Sequence, residues 1–131
     1  MSANKNHMEA VYQILIGDLA VTTLVGSKIY PVSEPQSEGY PVVIYSQLDD
    51  DKIVTKDGPI DNGKRFSLEI YSETYTEAQA VGKACKDLLG WYTGTVDAVS
   101  YRIVYDDQQD LQKEENTETF GIVQDYRLRI L

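Results

Sequence analysis

The chain has 131 residues, 42% of them hydrophobic and 25% charged, which fits one folded domain with one core and not a disordered segment. Its 21 acidic residues against 12 Lys plus Arg give a net charge of −9 and a sequence pI near 4.4, which disfavours nonspecific duplex binding, since that depends on cations neutralising phosphates. A single cysteine, Cys85, excludes an internal disulfide or a cysteine-built zinc site and fits synthesis in a reducing cytoplasm; no apolar run nears a membrane span, and the polar amino terminus lacks a signal-peptide core.

In chain order, Met8, Val11, Tyr12 and Leu15 recur at helical spacing and predict a helix from about Asn6 to Ile16, with Asn6 and Glu9 as a capped start. Gly17-Asp18 interrupts it, and Asp18 caps a second short turn through Leu19, Val21, Leu24 and Val25 that Gly26 ends. The texture then becomes that of strands. Lys28-Ile29-Tyr30 is a short strand stopped by Pro31, and Val42 to Tyr45 with Leu48 is a fuller one entered through Pro41. Proline lacks the amide hydrogen of a sheet ladder, so both Tyr-Pro pairs mark strand ends, joined by a loop from Val32 to Gly39. Ile53-Val54-Thr55 reads as a third, weak strand between the acidic triplet Asp49-Asp50-Asp51 and turn chemistry at Asp57-Gly58-Pro59 and Asn62-Gly63.

Lys64 to Ser72 alternates, with Phe66, Leu68 and Ile70 on one face and Arg65, Ser67, Glu69 and Tyr71 on the other. Thr74-Tyr75-Thr76-Glu77 is a capping box, and Ala78, Val81, Cys85 and Leu88 form the apolar stripe of the helix it opens, with Gly90 as the stop. Two closing strands follow, one around Val99, Tyr101, Ile103 and Tyr105, the other around Phe120, Ile122, Tyr126, Leu128 and Ile130. Between them Asp106 to Thr119 is acidic and nearly devoid of apolar residues, which predicts a long mobile loop with a functional role. The sum is an α+β domain over residues 1–131, a mostly antiparallel sheet with two main helices packed on one side.

Catalytic chemistry has little to stand on. His7 lacks a nucleophile and an orienting group in any motif, and Cys85 sits on an apolar stripe, so a surface role and a packing role suit them. The acids Asp49, Asp50 and Asp51, and Asp106, Asp107 and Asp110, lack the alternation, central glycine and closing glutamate of a helix-loop-helix calcium site. They suit solvated turns or a partner-facing surface. No glycine-rich phosphate cradle occurs, and no cofactor or metal is expected. Ten tyrosines against two phenylalanines suit surfaces that are apolar on one side and wet on the other; Tyr45 and Tyr71 are expected opposite Val42/Ile44 and Phe66/Leu68/Ile70, as cross-strand pairs or at a subunit interface.

The stretches "GSKIYPVSEPQSEGYPVVIY", "DGPIDNGKRFSLEIYSETYTEAQAVGKACKDLLGW" and "YRLRIL", in this order over nearly the whole length, resemble the small bacteriophage tail completion proteins, the tail terminator family of siphophages and related prophages. The resemblance implies a structural virion protein without catalysis, made in the bacterial host cytoplasm and placed at the tail-neck junction. It implies a hexameric ring that caps the head-proximal end of the tail tube, ends polymerisation and presents the joining surface to the head connector or stopper protein. Its partners would be itself, the major tail tube protein and that connector, with DNA passing through the ring without sequence-specific binding. Partner contacts are expected in the regions Asp49 to Gly63 and Asp106 to Thr119, at Asp49, Asp50, Asp51, Asp57, Asp106, Asp107, Asp110, Glu114 and Glu115. A neck or head-closure component of the same junction is the alternative, and a small ligand-binding module a further one.

Overall fold

A computed structural model describes residues 7–31, 41–55, 58–111 and 119–131, with side chains of residues 49–55 and 58–63 and of His7 left aside. Among these residues three helices, α1 (His7–Ile16), α2 (Leu19–Val25) and α3 (Tyr75–Leu89), lie on one face of a six-stranded sheet. The strands are β1 (Ile29–Pro31), β2 (Val42–Thr55), β3 (Gly58–Ser72), β4 (Trp91–Val96), β5 (Val99–Leu111) and β6 (Phe120–Ile130), arranged in the order β1-β2-β3-β6-β5-β4. The fold is α+β, as expected. The sheet is mixed, because β1 runs parallel to β2 while every other pair is antiparallel. Among the described residues no single helix is long and apolar enough to cross a membrane.

Local chemistry sets the helix ends. Asp18 accepts the Val21 amide at 3.1 Å and starts α2, which meets α1 at 85°. Gly26, at φ +63°, closes α2 in a region where a side chain would be strained, and its amide bonds the Thr22 carbonyl at 2.8 Å. Thr74 Oγ1 accepts the Glu77 amide at 3.1 Å. The second half of the expected box is redirected: the Glu77 carboxylate takes the hydroxyl of buried Ser72, tying α3 to the end of β3. The predicted Asn6 cap lies outside the described residues.

The core lies between the helices and the sheet's inner face. Val11, Leu15, Val21, Val81, Cys85 and Leu89 from the helices meet Val43, Phe66, Leu68, Ile70, Ile103, Ile122, Tyr126 and Leu128 from the strands. Phe66 stacks on Tyr126 with centroids 5.3 Å apart. Registers place Val43 against Ile70 and Tyr45 against Leu68, so Tyr45 belongs to the inner face, and Val42 and Ile44 point outward with Tyr71. This reverses the expected placement of Tyr45. The physical reason is that Val42, Val43, Ile44 and Tyr45 are all buried, so hydrophobic alternation carries no phase there.

Three further expectations change. Asp49, Asp50, Asp51 and the stretch Ile53 to Thr55 belong to one 14-residue strand, continuous with Val42 through register shifts around Asp50. Asn62-Gly63 lies within β3, and the reversal is tighter, with Thr55 opposite Gly58. The expected loop from Asp106 is strand as far as Leu111, paired to β6 after a shift between Tyr105 and Asp107. Polar side chains are admissible there because a strand needs its ladder and not an apolar sequence. Residues 112–118 and the Val32–Gly39 loop lie outside the described residues. Strand β4, unpredicted from sequence, pairs with β5 through a two-residue turn at Asp97-Ala98, both at positive φ.

Candidate interaction surfaces

Among the described residues no three His, Cys, Asp or Glu side chains gather to hold a metal. Cys85 is buried, and burial, helped by the negative charge of Asp18, pushes its thiol up to about 12, which keeps it protonated and poorly nucleophilic at neutral pH. The most organised polar group is internal. Gln124 is fully buried; its Nε2 donates to the Gly82 carbonyl and to Gln108 Oε1, each at 2.8 Å, and its Oε1 accepts from the Tyr126 hydroxyl at 2.7 Å. Gly82 lets α3 approach β6 this closely, since a Cβ there would stand 2.5 Å from Ile122 Cδ1. Burial, with Cys85 and Tyr105 nearby, raises the Tyr126 phenol pKa, so the group stays a donor. This network locks a helix to the sheet and is not arranged around an opening.

The sequence-predicted contact residues are distributed between two regions. Asp49, Asp50 and Asp51 lie along β2 in the β2–β3 hairpin, where Asp50 is in register with Lys64. Asp57, Glu114 and Glu115 lie outside the described residues. Asp106, Asp107 and Asp110 line β5 and are all exposed. They face different ways: Asp110 accepts the Tyr75 hydroxyl at 3.0 Å on the helix side, Asp107 is in register with Asp125, and Asp106 sits 3.6 Å from Arg127 Nε on the outer face. The Asp110 hydrogen bond is the largest cause of a raised Tyr75 pKa. Asp125 is also raised, first by burial, then by the negative charges of Asp107 and Asp106, with Arg65 opposing them.

Surface features that the sequence reading missed concentrate at β4. Among the described residues its outer edge has no neighbour in the sheet, and Trp91 is 82% exposed. Two hollows flank it. One, about 340 Å³, lies among Lys86, Asp87, Gly90, Trp91, Val104 and Tyr105; the other, about 300 Å³, is bounded by Ile14, Asp18, Leu88, Tyr92 and Val96. Glycine and threonine between the aromatic pair and Val96 obscure the alternation of this strand, so only Trp91 after a helix stop could have signalled it.

The family model described as Tail completion protein gp17 matches residues 9–131. Among solved structures, a chain in the one described as "Virion of native gene transfer agent (GTA) particle" is similar in fold, with a TM-score of 0.69 and 20% sequence identity over 92% of this chain and 90% of that one. No curated protein matches.

Proposed function

The chain belongs to the family of the tail completion protein gp17, and from that premise we propose that it is a tail terminator: a structural protein of the virion that caps the head-proximal end of the tail tube and joins it to the head connector. The family match across residues 9–131 is the observation that carries this reading. In the proposal, copies of the chain form a six-membered ring on the last tube layer, the tube protein can no longer add, and the free face of the ring receives the connector. The protein acts by binding and not by catalysis, and it works at the tail-neck junction after synthesis in the host cytoplasm.

Physical features support the reading. A net charge of −9 gives a ring through which DNA passes without being gripped. The β2–β3 hairpin, with strands of 14 and 15 residues, runs past Lys64, the last residue of its β3 strand to pair with β6 toward the turn, and it carries Asp49, Asp50 and Asp51. Together with Asp57, Asp106, Asp107, Asp110, Glu114 and Glu115 these acids are proposed as contacts to the tube and connector. The reading is tested by adding purified chain to polymerising tail tube protein. Tubes should stop elongating and show density for the chain at one end; continued growth with no bound chain would overturn it.

A further inference from the structure

All four arginines of this acidic chain lie on one face of the sheet, the outer one, in adjacent strands. Arg65 of β3 stands directly opposite Arg127 of β6, and Arg129 of β6 directly opposite Arg102 of β5. Like charges directly opposite each other oppose folding, and at the β3–β6 pair the chain sets carboxylates near them, Asp106 3.6 Å from Arg127 and Asp125 in the field of Arg65. Arg102 and Arg129 are exposed. The register continues to the edge: Val104 lies beside Arg127 and next to Trp91, and Thr93 beside Arg102.

The same face changes sign along the strands. Two residues from Arg127, Asp125 stands opposite Asp107, and the boundary is the Asp106–Arg127 contact at 3.6 Å. A polyanion lying along this face would gain from the arginine end and be repelled by the acidic end. A protein surface with its own charge pattern can match both. Arginine forks bind carboxylates in two-point fashion, and tryptophan and arginine are the side chains most often at the energetic centre of protein contacts. Carboxylates are abundant in one partner already at hand, since each copy brings 21 acidic residues.

We infer that the arginine end of the outer sheet face, with Trp91 as its apolar anchor, is a contact surface for a second copy of this chain, whose acidic surface covers it. The inference rests on the assembly reading above and adds the surface through which copies meet. A contact between unlike surfaces is also the kind that closes into a ring.

The test places the photo-crosslinking residue p-benzoylphenylalanine at Thr93, an exposed position on β4, in chain assembled into particles. Illumination should give an adduct of two copies, and Arg102→Glu with Arg129→Glu should reduce its yield at least tenfold while thermal melting shows the fold retained. An adduct with another virion protein or with DNA, no adduct, or a yield unchanged by the double reversal would overturn the inference. Tail length in particles lacking the chain is scored separately. Overlong tails combined with a foreign adduct would leave the terminator reading standing and remove this contact; normal tails combined with a two-copy adduct would do the reverse.

Discussion

Gln124 makes three hydrogen bonds in full burial, to Gly82, Gln108 and Tyr126, so replacing it strands several buried polar groups at once. An unsatisfied buried group costs about 1–3 kcal/mol, and Gln124→Leu should lower stability by roughly that amount in urea unfolding. Adding Tyr126→Phe, which removes one stranded hydroxyl, should recover part of the loss and not add to it. Cys85 makes a pH prediction. Its ordinary thiol value of 9.0 is raised to about 12 in the folded chain. Below about 9 both states keep the proton and its contribution is intact; above that the unfolded state ionises and the folded one does not, so stability falls as pH rises toward about 12. Cys85→Val should flatten that alkaline slope in urea midpoints; tyrosines whose folded pKa is raised, Tyr126 among them, supply the slope that remains.

At the scale of elements, the β4–β5 hairpin turns through Asp97 at φ 50° and Ala98 at φ 67°. A two-residue turn with positive φ at both positions favours Asp-Gly, and alanine there costs about 1 kcal/mol. Ala98→Gly should therefore raise the melting temperature, with a gain on the order of 0.5–1 kcal/mol after the entropy glycine adds to the unfolded chain. Elements with a distinct period or cap were legible in the sequence: α3 from Thr74 and its stripe, the alternation of Phe66, Leu68 and Ile70, and the closing strand through Tyr126 and Leu128. Elements lacking such a signal were not. Val42 to Tyr45 is buried on both faces and hides its phase, while Asp49 to Asp51 and Asp106 to Asp110 are strands written in residues that usually mark turns. Their ladders come from long partners, β3 and β6, which a local reading does not weigh. The parallel β1–β2 pair is likewise hidden, because direction is decided by the path of the connection and not by the three residues of β1.

At the scale of the molecule, charge is the organising feature. A chain of net charge −9 gathers its four arginines on one sheet face and sets Asp106, Asp107 and Asp125 further along the same strands. The acidic candidates were visible in the sequence as clusters; the arginine face was not, since residues 65, 102, 127 and 129 come together only when β3, β6 and β5 are laid side by side. The family likeness was legible for a different reason, the order of Tyr-Pro pairs, helix and strands along the chain, and the match over residues 9–131 agrees with it. The central claim is that this protein ends tail growth and makes tails joinable, and electron micrographs of particles produced without it test that most directly. Tails of uncontrolled length, unattached to heads, are the predicted result. Tails of normal length joined to heads would contradict it.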